Sequence, residues 1–259
     1  MNNLNAILAI AYRDLLKFLR DRARIGFSFM FPIFFIGILG GSLQSNLGVG
    51  AGYNLIIFTF TGVLAQTLFQ STAGGVISLI EDRQNDFSQA MFVAPISRYS
   101  IVFGKILGET LVALPQGLAV MAFALLIGVP LNTAQVVGLV LAGLAACLFG
   151  GAFGVMVISS FTSQRTANQI FPFIMFPQFF LAGVFAPIKV LPFYLEALSR
   201  ISPLRYAVDL TRGLYYSGLP EYPAVVLASP VFNLVLIAVL FAVCMTVGTW
   251  LFVRGERNR

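Results

Sequence analysis

From Ile25 to Ile80 no side chain carries a formal charge, and the same is true from Thr110 to Gln164. Stretches of that length and polarity cannot coat a water-soluble domain. An α-helix needs about 20 consecutive apolar residues to cross roughly 30 Å of hydrocarbon, and each run is long enough to do so more than once. Charged residues make up only 10% of the chain, against about 25% in an average soluble domain. Mean hydropathy is correspondingly high, +0.90. The sequence therefore predicts an all-α integral membrane protein, with every backbone polar group satisfied inside its own helix.

Breaks in the apolar runs divide the chain into an amphipathic N-terminal helix (1–24) and six spans (25–259). In the first segment Leu4, Ile7, Leu8, Ala11, Leu15 and Phe18 recur at helical spacing while Arg13, Lys17, Arg20 and Arg24 line another face, which predicts a helix lying along the inner leaflet. Span 1 is expected at about 25–43, too long and too late in the chain for an ordinary signal-peptide core. A short polar loop (44–54) leads to span 2 (55–80), which stops at Glu81-Asp82-Arg83. A polar excursion follows (81–105), then a hairpin of span 3 (106–129) and span 4 (134–161) turning at Pro130-Leu131-Asn132. Beyond the connector 162–168, span 5 is expected at 169–184 and span 6 at 230–253.

The region between spans 5 and 6 (185–229) neither leaves the membrane cleanly nor crosses it. Pro187 and Pro192 interrupt the apolar run, and Lys189, Glu196, Arg200, Arg205, Asp209 and Arg212 are spread among Leu, Ile, Phe and Tyr. Such a pattern predicts a re-entrant, amphipathic helical pair, because irregular backbone at membrane depth survives only where protein or a cavity satisfies it. Ser202 followed by Pro203 reads as an N-cap and first helical residue.

Placing both termini in the cytoplasm puts twelve of the 16 basic residues on that side, in line with the positive-inside rule. The other four, Lys189, Arg200, Arg205 and Arg212, fall in the broken external region, where they are expected to meet the outer surface or lipid head groups. The net charge of +6 thus records topology, and no solvated basic stripe calls for a nucleic-acid partner. With no histidine and no Cys-x-x-Cys pair the chain has no zinc-site signature, and Gly-x-Ser-x-Gly is missing too. Cys147 and Cys244 lie inside apolar runs and suggest no disulfide framework.

Several polar residues carry alternative readings. Gln66 and Gln70, one turn apart on span 2, either glue helices together or mark a polar transport path, as does Gln178 on span 5. Glu109, the acid placed near the start of a span, is either a further residue of that path or half of an i, i+4 pair with Lys105 one turn earlier. Gly150 and Gly154 form a small-xxx-small pattern that favours close helix packing. In the 81–105 loop, Phe87, Met91 and Phe92, ended by Pro95, form a helix-like apolar face that either seats in a partner's groove or rests on the membrane.

The order of these features resembles the ABC-2 type permease subunits of ABC exporters, including DrrB-like and NodJ-like members. The most specific parts are Ala94-Pro95-Ile96-Ser97-Arg98 with Lys105, and Ser202-Pro203-Leu204-Arg205-Tyr206-Ala207-Val208-Asp209 followed by Arg212-Gly213. Many members carry Gly-Thr where this chain has Asn85-Asp86. The resemblance implies a permease that pairs with a second copy or close paralogue and binds two separate ATPase subunits through Phe87, Met91, Phe92, Pro95 and Arg98. ATP and Mg would be held by those partners; this chain has no Gly-x-x-x-x-Gly-Lys-[Ser/Thr] motif. It further implies a multi-pass protein of the plasma or inner membrane that exports an amphiphilic, drug-like or lipid-like substrate, with Arg205, Asp209 and Arg212 in an outer gate. Polysaccharide or glycolipid export is the alternative within transport. An ATPase-independent transporter or a membrane enzyme is the alternative outside it.

Overall fold

The computed structural model describes residues 3–84, 97–161 and 163–257. Among them every regular element is helical. The amphipathic segment forms α1 (Asn3–Arg20) and the first span runs through α2 (Arg22–Ile33), a π-helical stretch (Phe34–Gly40) and α3 (Gly41–Ala51). The expected loop at 44–54 is thus mostly helix. Gly52, at φ +72°, ends it in the left-handed conformation that glycine adopts without strain. Gln44 remains useful there: its Oε1 accepts from Leu55 N at 2.7 Å, beside Asn54 Oδ1, which accepts from Ile56 and Ile57 N.

Span 2 is α4 (Leu55–Gly75) followed by the short α5 (Ser78–Gln84). The break at Gly74-Gly75 replaces the continuous helix to Ile80 that hydropathy suggests. Two turn residues, Val76 and Ile77, separate the helices, and Gly75 just before them packs against α6, where a Cβ on it would lie 1.9 Å from Glu109 Oε2. Span 3, α6 (Arg98–Leu126), begins well before the expected Ile106, with Ser97 Oγ accepting from Ser100 N as its N-cap. Span 4 is α7 (Thr133–Ile158), opened by a capping box between Asn132 and Gln135.

The chain continues through α8 (Gln164–Leu181), a 3-10 turn (Ile188–Val190), α9 (Phe193–Ser199), α10 (Pro203–Tyr215), α11 (Tyr222–Val225) and α12 (Pro230–Arg257). Five helical segments among the described residues are long and apolar enough to cross a membrane. The sixth, α8, falls short on hydropathy because Gln164, Arg165, Asn168, Gln169 and Gln178 dilute its Phe-rich face. It nevertheless covers the full length of span 2. Gln164 reaches Glu81 at one end, 3.2 Å, and the chain just past its other end meets Phe58 through Arg212.

α4 is the centre of the bundle, with Phe58, Phe60, Val63, Ala65 and Phe69 fully buried. Gly150 and Gly154 let α7 press against it, as expected. A Cβ on either would lie 2.3 Å from Phe69 O or 2.4 Å from Ala73 O. Gly104 and Gly108 do the same for α1, which lies on α6 so closely that a Cβ on either would come within 3.0 Å of the Ile7 or Ala11 Cα. The expected inner-leaflet helix therefore has one protein-covered side (Ala11, Phe18) and one exposed apolar side (Leu4, Leu8).

Candidate functional site

At the α1 end of the bundle, six charged side chains from three elements form one network. Lys105 Nζ donates to Asp14 Oδ2 at 2.7 Å and lies 3.2 Å from Glu109 Oε1; all three side chains are buried. Arg13 Nη2 reaches Asp82 Oδ2 at 2.5 Å and Asp14 Oδ1 at 3.1 Å, and Lys17 Nζ stands 3.9 Å from Asp82. Three cations and three carboxylates balance, so the burial is tolerable: a buried charge costs several kcal/mol, roughly, unless paired and hydrogen-bonded. Burial works to lower the pKa of Arg13, but the hydrogen bond to Asp82 and the fields of Asp14 and Asp82 outweigh it and raise the pKa above its ordinary value.

The i, i+4 pair of Lys105 with Glu109 is as the sequence predicts, but Lys105 is a buried helical residue of α6 and not part of a loop. Asp14 was missed. Its signal was its register: it lies three residues after Ala11 and four before Phe18, both buried. An acid on the apolar side of an amphipathic helix needs a buried cation opposite it.

This network pins both feet of the 81–105 segment. Asp82 is on α5, which Gln164 also holds through Glu81, while Lys105 and Glu109 lie two turns into α6, the helix that Arg98 opens. Phe87, Met91, Phe92 and Pro95, the expected partner-facing residues, lie outside the described residues.

The four expected path residues do not converge. Gln66 Nε2 and Gln70 Oε1 are 3.5 Å apart, a weak contact that leaves the buried Gln66 Oε1 without a partner among the described residues. Gln70 lines a cavity of about 310 Å³ between α2, α4 and α6, together with Ser28, Thr67, Ser71 and Gln116. Glu109 belongs to the ion network. Gln178 instead accepts from Leu204 N at 3.4 Å, capping α10 where Ser202 makes no side-chain bond.

At the opposite end, α10 carries the three residues expected in an outer gate. Arg212 is fully enclosed, which corrects the expectation that all four basic residues of this region face outward. Its Nη2 donates to Gly183 O at 2.8 Å, Val184 O at 3.3 Å and Phe58 O at 3.4 Å, and its guanidinium stacks 3.6 Å over the Phe58 ring. Gly62 makes the approach possible, since a Cβ there would meet Val184 O at 2.7 Å. Asp209 faces another way, accepting from Leu227 N, Ala228 N and Asn233 Nδ2 at 2.7–2.9 Å. A cation thus meets the carbonyls past the end of α8 and an anion the amides before α12, each matching the local helix dipole. Arg205 donates to Ser199 Oγ, Lys189 to Pro223 O, and Arg200 pairs with Glu196 at 2.9 Å, both side chains exposed.

Residues 5–216 match the family model described as ABC-2 type transporter. The chain is similar to the transport permease ycf38 of Cyanophora paradoxa, 24% identical over 164 residues, covering 62% of this chain and 57% of the relative. It is similar to ycf38 of Pyropia yezoensis, 27% identical over 222 residues, covering 82% and 74%. The multidrug ABC transporter permease YbhR of Escherichia coli K12 is 27% identical over 149 residues, covering 54% of this chain and 38% of its own length. The matched segment therefore spans little more than half of the first relative and well under half of YbhR. With a helical bundle of membrane-spanning helices and a family match over most of its length, the chain belongs to the ABC-2 type transporter family, as a multi-pass membrane permease.

Proposed function

We propose that this chain is the membrane half of an ATP-driven exporter, working with two separate ATPase subunits and a second permease copy to move an amphiphilic substrate out of the cytoplasm or inner leaflet. The observation that carries the reading is the ion network at the α1 end. A segment that transmits force from a partner must be rigidly rooted, and Asp82 on one side with Lys105 and Glu109 on the other root it to α1. Residues Phe87 to Arg98 are then the docking segment. The cytoplasm is assigned to this end, and ATP and Mg to the partners.

The second copy has a natural seat. Phe31 and Phe179 (6.3 Å between ring centroids), Phe35 and Phe185 (4.9 Å), and Phe176 and Phe180 (5.5 Å) join the first span and α8 into one aromatic band, with Phe34, Phe176 and Phe180 exposed. The polar cavity at Gln70 and Gln116 adjoins it on the first-span side and is the proposed entry to the path. Nucleotide binding drives the cycle only by favouring one arrangement of the pair over the other.

Co-purification with an ABC ATPase, followed by joint reconstitution in liposomes, tests the reading. Phe92→Ala and Pro95→Ala should leave insertion intact while hydrolysis continues without export. Export by the purified chain with no ATPase present would overturn it.

A further inference from the structure

Leu214 abuts Gly138, and eleven residues away on each helix Pro203 shares a cavity with Phe149. α10 therefore runs antiparallel to α7, and at 1.5 Å per residue its first turn lies about 16 Å deeper in the bundle than Leu214. The α9–α10 pair is re-entrant, with Arg200, Ile201 and Ser202 at its tip.

That tip closes one end of a cavity of about 680 Å³ between α7, α8 and α12, within the roughly 300–1,000 Å³ that holds a single small ligand. Its walls are Phe149, Phe153, Ile174, Leu240 and Cys244, and its polar groups gather at the tip: Arg200, Ser202, Tyr206 and Gln178. No acid lines it. Ser202 is only 4% exposed, yet its Oγ has no hydrogen-bond partner among the described residues. Tyr206 Oη and the Gln178 amide oxygen are already engaged, with Arg200 O and Leu204 N. Arg200 and Arg205 outnumber Glu196, so the tip carries a positive excess.

We propose that this cavity binds one acidic amphiphile, its head at Ser202 and Arg200 and its hydrocarbon chain between Phe149, Phe153, Ile174 and Leu240. The inference rests on membrane placement, not on the identity of any cargo. A membrane phospholipid and a free fatty acid share the required chemistry.

The test uses the full chain in phosphatidylcholine nanodiscs carrying one of three probes with a terminal diazirine: phosphatidic acid, a free fatty acid, or neutral diacylglycerol. After irradiation, labelled peptides are located by mass spectrometry. The acidic probes should label 149–156 and 174–181 well above the exposed α12 face at Val231 and Val235, and Ile174→Trp should empty the site. Arg200→Gln, at an exposed position whose loss does not threaten folding, should cut acidic labelling about tenfold, the loss of one charge-assisted hydrogen bond. It should leave neutral labelling unchanged. Labelling by phosphatidic acid alone identifies a resident lipid, and labelling by fatty acid alone a free amphiphile; either supports the site. Even labelling along all exposed helices, or equal labelling by the neutral probe, overturns it.

Discussion

At the α1 end of the bundle Lys105 and Asp14 meet 2.7 Å apart, each the buried counter-charge of the other, whereas at the opposite end Arg212 and Asp209 sit one turn apart on α10 and turn away to separate backbone groups. The first arrangement joins α1, α5 and α6 through side chains alone, so it can be dissected by charge: removing both members of a pair should cost less than removing one. The second nails helix ends in place. Arg212 holds carbonyls past α8 and Asp209 holds amides before α12, two sets with no group in common, so substituting one residue does not relieve the loss of the other. In the exporter we propose, the difference suits a driven end that must stay coupled to a moving partner, and an outer end whose re-entrant pair needs a fixed frame.

Lys105→Leu should have the largest effect. It removes the buried cation that stands between Asp14 and Glu109, at about 3–5 kcal/mol, read as loss of folded protein in detergent unfolding. Arg212→Leu should follow at about 2–3 kcal/mol, the loss of its charged hydrogen bonds to Gly183, Val184 and Phe58 carbonyls. Asp209→Ala should be comparable, and neither should be relieved by substituting the other; mutual rescue would show that they act as a pair after all. Gly75→Ala forces Glu109 out of place and should cost about 1–3 kcal/mol, with the steric part of that cost vanishing when Glu109→Ala is added. Gln178→Leu removes the cap on Leu204 and should cost only about 1 kcal/mol.

Much of this was legible beforehand, for reasons that separate by scale. Span positions follow from hydropathy, and the close packing of α7 on α4 from Gly150 and Gly154, because both are properties of one stretch of chain. The early start of α6 was hidden, since Arg98 and Lys105 look like loop residues until Lys105 is given buried partners from α1 and from its own helix. The close approach at Gly75 is to a carboxylate 34 positions later, which no local pattern reports. Arg212 was read as an outward-facing cation for the same reason: its ligands are main-chain oxygens, invisible in side-chain chemistry. Gln178 was expected on a transport path; in the structure its amide oxygen accepts from Leu204 N of the re-entrant helix, a partner that no local pattern names.

The claim at the centre of this account is that α1 is held to α6 by the buried Asp14–Lys105 pair. A double-mutant cycle on the full chain, with Asp14→Leu, Lys105→Leu and the two combined, measures it by unfolding free energy. The account predicts a coupling of at least about 2 kcal/mol, with the double variant more stable than the sum of the single losses allows. Additivity within about 0.5 kcal/mol would contradict it.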